Sequence, residues 1–368
     1  MSAAGAPTRR LTRLSLRGFK SFPQLDIELR PLTAAIGPNG AGKSNLVAFF
    51  RLLYALQLGG LKRHVGASGG GSKWLHGGVR VSPSLTWALT VDVEGVAQRY
   101  EGELVGADGD ELVFGYERVV VGSDTVDLGS AGSHESGLLN ARFDGDQRVA
   151  GFRAQLLRIH SYQFHDTSYA ADVKRLQRLD NNTALMVNGA NLGPCLYRIR
   201  AGSQHRYDRI LSTVRLAAPF IDDLVLEPVG PPVGGSILLR WRQKGLDLDF
   251  TASDFSDGTL RFLLLTTLME QPDPPDTILI DEPELGLHPY AIGLLAAQLR
   301  GFAFDRQVIV FTQSVELLDE LAASDVIVVD RRGAGSTAHN LDPAEYEAWR
   351  ADYSLGEVWR KGVIGGFP

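Results

Sequence analysis

Gly37-Pro38-Asn39-Gly40-Ala41-Gly42-Lys43-Ser44 decides the fold of this chain. The stretch reads as a glycine, four residues, then Gly-Lys-Ser, set after a strand-like run at 33–36 and before a run with helical apolar spacing at 45–58. A loop of this composition turns its backbone N–H groups toward an anion, and the positive end of the following helix faces the same way. Side chains at Gly40 or Gly42 would obstruct triphosphate oxygens. Lys43 is the residue to reach the β- and γ-phosphates, and the Ser44 hydroxyl suits a magnesium shell. The loop by itself implies a nucleotide and not yet a reaction.

The reaction comes from Ile278-Leu279-Ile280-Asp281-Glu282-Pro283-Glu284. The apolar run 277–280 predicts a buried parallel strand whose carboxyl end, where α/β sheets place their ligands, delivers Asp281 and Glu282. Asp281 suits the magnesium shell and Glu282 suits polarising an attacking water. Read together, the two segments are halves of one ATP-hydrolysing site.

Outward from these anchors, alternation at 11–16 and 25–29 around the turn Gly18-Phe19-Lys20-Ser21-Phe22 predicts an opening hairpin. The glycine-rich stretch 59–78 reads as mobile or ordered by ligand. Short β-like runs at 85–93, 98–104, 111–116 and 117–121, separated by Gly, Asp and Ser, predict an antiparallel sheet layered on the core. From 170 to about 220 the pattern turns helical: Val173, Leu176 and Leu179 are spaced by three, and a second helix is predicted over 203–216. Two β-like runs at 223–228 and 236–250 precede a return to alternation: helix 259–269, a Pro-rich break at 271–276, the Asp281 strand, helix 289–299, strand 307–312, helix 314–322 and strand 325–330. The fold class is therefore α/β with an antiparallel layer and a helical lobe. The expected division is a first core lobe at 1–168, a helical and β insertion at 169–250, and completion of the core at 251–368.

The composition agrees. The 368 residues, 44% of them hydrophobic, suffice for a large core or two domains. A single cysteine, Cys195, allows no internal disulfide and no cysteine-based metal site; it reads as packing in a reducing compartment. Residues 1–10 lack the apolar stretch of a leader peptide, and no apolar run has membrane-spanning length, so a cytoplasmic protein without a membrane partner is expected. The net charge of -6 leaves nucleic-acid contact to local patches; Arg198, Arg200, Arg206, Arg209 and Arg215 with His205 form the candidate patch.

One further segment carries a family resemblance. Ala252-Ser253-Asp254-Phe255-Ser256-Asp257-Gly258-Thr259-Leu260-Arg261 resembles the signature motif of ABC-type ATPases, in the form seen in the SMC/RecF-like and OLD-like branches. Read from the residues alone, it is a serine and a glycine opening a helix, a second anion nest or an ordinary cap. The resemblance implies a P-loop NTPase of the ABC-head type, with a mainly parallel core sheet. It further implies ATP and Mg2+ as ligands and a homodimer formed on ATP binding, with Ser256 and Gly258 acting on the nucleotide of the other copy. Glu284-Leu285-Gly286-Leu287-His288-Pro289 resembles the loop that follows the catalytic strand along the dimer interface, and the turn at 18–22 resembles that of SMC-type heads. Gln163 corresponds to the glutamine that joins core to lobe and touches the magnesium or the attacking water. Its neighbours His160 and His165 read as ordinary hydrogen-bonding residues. Where many members carry a switch histidine, this chain has Gln313, which accepts and donates hydrogen bonds but carries no positive charge.

The stretch between Gln163 and the signature leaves no room for coiled-coil arms and shows no heptads. Residues 331–368 are too few for an appended nuclease domain. The ending 353–366 resembles small stand-alone ATPases of this branch, found beside a separate nuclease or effector. Three outputs are consistent with this reading: a sensor or clamp acting with DNA or an effector protein in DNA repair or phage defence, a nucleotide-gated scaffold that scarcely hydrolyses, or a transporter ATPase subunit. The long insert, the Ser256-Asp257-Gly258-Thr259 signature and Gln313 in place of a switch histidine disfavour the last.

Overall fold

The computed structural model describes residues 9–230 and 234–366; of the stretch 1–10 read above for a leader peptide, residues 1–8 lie outside the described residues. The chain forms two compact units. The first comprises 1–161, 275–279 and 303–368, and the second 162–274 and 280–302.

The first unit is built on a six-stranded sheet in the order Gly335–Asn340, Val326–Arg332, Leu32–Ile36, Gln307–Thr312, Thr277–Asp281, Ile159–Tyr162. Leu32–Ile36 pairs in parallel with both its neighbours. Every residue of Leu32–Ile36 and of Gln307–Thr312 is buried, as the near-continuous apolar runs of a parallel sheet require. A second, antiparallel sheet runs Phe22–Glu28, Arg9–Phe19, Ser84–Val93, Val96–Ala107, Glu111–Val121, Asp124–Asp127. Ser84–Val93 alternates between buried and half-buried residues, so one face of this layer meets the core. Leu14, Leu16, Leu85 and Leu89 of that face join Phe49, Leu52 and Leu56 of the helix Lys43–Gln57 and Ile309 and Phe311 of the parallel sheet in one apolar cluster. The opening hairpin, the antiparallel layer and the helix after the phosphate loop are therefore where the sequence pattern predicts them.

Several details differ. The 59–78 stretch is folded: it holds the helix Leu61–Ala67, a 3-10 turn Gly71–Lys73 and a buried Trp74 against Phe19, ring centroids 5.9 Å apart. The runs 111–116 and 117–121 form one strand, since Gly115 continues the pairing through a bulge rather than turning the chain. In the second unit, no helix spans Val173 to Leu179. A 3-10 turn at Asp172–Lys174 leads into the extended pair Gln177–Arg178, which bonds to Ser236–Ile237, and Leu176 faces solvent. Three apolar positions are too few to define a helical face, and the β partner wins. The helical part begins later, at Leu192–Gly202, followed by Gln204–Ala217. The 236–250 run breaks into Ser236–Ile237, Arg240–Gln243 and Asp249–Thr251, the last two forming a sheet with Ile221–Val225. The second unit also contains the helix Asp257–Glu270 and most of Pro289–Asp305. Among the described residues, no helix is long and apolar enough to cross a membrane.

Candidate functional site

In the first unit, the strand Leu32–Ile36 runs into the loop 37–42 and then the helix Lys43–Gln57. Gly40 and Gly42 have φ of 76° and 123°, a region that L side chains avoid. The two glycines are needed for different reasons. A Cβ at Gly42 would lie 2.7 Å from Ser336 Oγ and 3.0 Å from Ser21 Oγ and the Phe22 ring, so protein, not ligand, presses on this position. A Cβ at Gly40 would point into open space, the room a ligand on the loop would need. Lys43 is buried and donates to the Gly37 carbonyl and, at 3.0 Å, to that of Pro38. Ala41 is buried, while Asn39 and the first-turn Ser44 are exposed. The turn residue Ser21 accepts from Asn45 Nδ2 at 2.7 Å, tying the opening hairpin to the first turn of the helix. Gln313 follows Gln307–Thr312 and donates through Nε2 to Asn39 Oδ1 at 2.9 Å, so the residue in the switch position holds the tip of the phosphate loop.

In the second unit, Asp281 and Glu282 close the strand Thr277–Asp281, and Glu282 has a φ of 46°. A non-glycine residue in this left-handed region is uncommon and is concentrated at functional positions. Gln163 Nε2 points to Asp281 Oδ2 at 3.4 Å, and its backbone N–H donates to the Val187 carbonyl. His165 Nε2 lies 2.9 Å from the Asp281 carbonyl and serves as a donor, the ordinary hydrogen-bonding part expected of it. His160 lies in the first unit, half-buried, with Nε2 3.0 Å from the Leu157 carbonyl and its pKa pushed down by burial.

The signature segment belongs to the same unit. Thr251 and Asp254 form a capping box, and those hydrogen bonds hold the Asp254 carboxyl below its ordinary pKa. Trp241 stacks on Phe255 at 4.9 Å and on Phe250 at 4.7 Å, which fixes the backbone just before Ser256. Ser256 is the exposed N-cap of Asp257–Glu270, its Oγ accepting from the Thr259 N–H at 3.2 Å. Gly258 meets the loop after Glu282 so closely that a Cβ there would stand 2.2 Å from the Gly286 carbonyl oxygen.

Sequence reasoning passed over Arg261. Its Nε donates to the Phe164 carbonyl (3.0 Å), one terminal nitrogen to the Leu285 carbonyl (3.0 Å), and the other to the His165 carbonyl (2.9 Å) and Thr167 Oγ1 (3.2 Å). The available signal was a lone cation amid the buried Leu260, Phe262, Leu263, Leu264 and Leu265. The candidate basic patch, by contrast, is largely compensated. Arg209 pairs with Glu270 at 2.6 Å, and Arg200 and Arg215 stand 3.9 Å from Asp223 and Asp222. Arg206 donates to the Glu270 carbonyl and Arg198 to Asn182. Cys195 is buried, and burial pushes its thiol up to about 12, in keeping with a packing role.

The donor chemistry fits a hard cation. Within the second unit Asp281 and Gln163 offer carboxylate and amide oxygens side by side, and among the described residues no three His, Cys, Asp or Glu side chains gather into a cage. Magnesium is characteristically held by one or two protein oxygens, with phosphates and water filling its octahedron.

Comparison with known proteins gives the same picture. Residues 153–319 match the family described as "AAA domain, putative AbiEii toxin, Type IV TA system". A 44-residue stretch, 11% of this chain, is 57% identical to the chromosome partition protein Smc of Rhodopseudomonas palustris; it spans 4% of that protein's length. The SMC head bound to the C-terminal winged-helix domain of ScpA superposes with a TM-score of 0.58 at 16% identity, over 89% of this chain and 97% of that one. The Pyrococcus furiosus SMC head with an extended coiled coil, bound to the C-terminal domain of ScpA, gives 0.56 at 14% identity, over 94% and 99%. At such identities the likeness speaks to fold. In fold the chain is similar to SMC head domains, and within it residues 153–319 match an AAA-domain family model.

Proposed function

We propose that the chain binds ATP with Mg2+ and hydrolyses it in a head-to-tail homodimer. The observation that carries this reading is the phosphate loop itself: two glycines at positive φ, open space beside Gly40, and a buried Lys43 capped by loop carbonyls. Residues Gly37 to Ser44 hold the triphosphate, and Lys43 neutralises its β- and γ-oxygens. Ser44 and Asp281, with Gln163 alongside, are the magnesium ligands; the ion, when bound, withdraws charge from the phosphate oxygens. Glu282 orients and deprotonates the attacking water, and its strained backbone supports that placement. Gln313 steadies Asn39. Ser256 and Gly258, exposed or half-exposed at a helix start, contact the nucleotide held by the other copy.

The output of the cycle is a sensor or clamp. A protein effector is favoured over DNA at the arginine patch, because carboxylates compensate most of those arginines. A toxin of a type IV toxin–antitoxin system in the family's description, and ScpA domains on the related heads, point the same way, toward defence or assembly with a protein partner.

The test is the solution mass of Glu282→Gln with and without ATP and magnesium, with Ser256→Arg as control, beside phosphate release by the parent and by Lys43→Ala. A dimer that needs ATP and is abolished by Ser256→Arg, together with turnover lost in Lys43→Ala, is expected. A mass indifferent to ATP refutes the shared site. Dimerisation without turnover in the parent leaves the nucleotide-gated scaffold.

A further inference from the structure

We infer that Arg261 is a positioning residue that couples the signature helix to the hydrolytic residues of its own chain. The inference rests on the ATPase reading above and deepens it. Asp257–Glu270 buries leucine and phenylalanine side chains over most of its surface, and Arg261 is the one basic residue among them. Every nitrogen of its guanidinium is used, and all the acceptors lie on two loops. The carbonyls of Phe164 and His165 and the hydroxyl of Thr167 belong to the loop that begins at Gln163, whose amide meets Asp281. The carbonyl of Leu285 belongs to the turn after Glu282, where the Leu285 N–H returns to the Glu282 carbonyl at 3.1 Å.

A planar fork of fixed geometry suits this task. It holds two loops at set angles to the helix, which a flexible ammonium cannot. The same helix starts at Ser256, and Gly258 abuts the Gly286 carbonyl with no space between. Any shift of the helix start on meeting an anion is therefore transmitted twice: by contact through Gly258 to the Gly286 turn, and by the guanidinium to the Gln163 loop. Engagement of Ser256 with the second copy's triphosphate thereby sets Gln163 and Glu282 for the nucleotide in this chain. Each site then depends on the nucleotide held by the other copy, since a chain without a partner lacks the pull that aligns its own residues.

The experiment compares Arg261→Ala and Arg261→Lys with the parent by ATP affinity, by kcat and KM, and by ATP-induced mass in the Glu282→Gln background. Arg261→Ala is expected to keep ATP affinity and KM within about threefold and to dimerise with ATP, while kcat falls about 100-fold, the loss typical of an ångström-scale misplacement. Arg261→Lys, reaching fewer acceptors, is expected to recover part of kcat. Should Arg261→Ala turn over within about twofold of the parent, the coupling is wrong. Loss of ATP binding, dimerisation and turnover together in both variants would also overturn it, leaving a staple that only stabilises the fold. A parent that neither dimerises nor turns over refutes the ATPase reading instead.

Discussion

Gly258→Ala separates the two uses of the signature helix, folding and chemistry. The new Cβ would stand 2.2 Å from the Gly286 carbonyl oxygen, against the 3.0–3.4 Å at which such contacts are already tight. The obstacle is backbone, so relief requires the helix start or the 284–287 turn to move by about 1 Å. Overpacking of this kind costs about 1–3 kcal/mol, and replacing a helical glycine by alanine returns up to about 1 kcal/mol. The net loss of stability, about 3 kcal/mol at most, leaves the chain folded. The same 1 Å falls on Ser256 and on the turn that follows Glu282, where misplacement costs on the order of 100-fold in rate. Steady-state phosphate release and thermal melting, run on one preparation, read both numbers. A variant that melts within a few degrees of the parent and hydrolyses ATP about 100-fold more slowly fits the reasoning. A variant with parental turnover refutes it, because the helix start could then move without consequence.

Gln313→Ala removes the 2.9 Å bond to Asn39 and should lower kcat about three- to tenfold with KM changed less; unchanged kcat would remove Gln313 from the chemistry. Glu117 is fully buried and accepts from Tyr100, Ser130 and Ser136 hydroxyls and the Gly137 N–H, so Glu117→Ala should lower the unfolding free energy by about 3–5 kcal/mol in urea titrations. Cys195 keeps its proton to about 12 when folded but loses it near its ordinary 9.0 when unfolded. The unfolded state then sheds the proton first, and stability should fall by about 1.4 kcal/mol per pH unit as pH rises from 9.0 toward 12. Cys195→Ala should flatten that slope. Denaturant titrations at pH 8.5 and above measure the difference.

The parts of the fold legible in the sequence are those where local pattern and tertiary environment agree. Leu32–Ile36 and Gln307–Thr312 are buried on both faces and read as short unbroken apolar runs. Ser84–Val93 has one face on the core and reads as alternation. The 173–179 segment misleads because Leu176 is exposed and Leu179 is held by a backbone bond to Gly235, contacts invisible to spacing. Trp74 organises the glycines around it by packing on Phe19, a partner more than fifty residues earlier in the chain. Among the candidate site residues, Lys43, Asp281 and Glu282 are proposed on residue type and spacing alone. Nothing in residue type distinguishes Arg261 from a surface arginine except its company on an apolar helix, and its acceptors are carbonyls, which sequence does not display.

The strand order has a consequence for how the protein is made. Leu32–Ile36 leaves the ribosome well before either strand that flanks it, Gln307–Thr312 or Val326–Arg332, has been translated. Until they arrive, an apolar strand with two unsatisfied edges must wait in a nascent chain, a condition that favours mispairing and aggregation. Such long-range closure is slow. Production of this protein should therefore respond more to chaperone supply and slower synthesis than to surface substitutions, and shortening it from the carboxyl end past Val326 should cost the phosphate loop its support before any residue of that loop is touched.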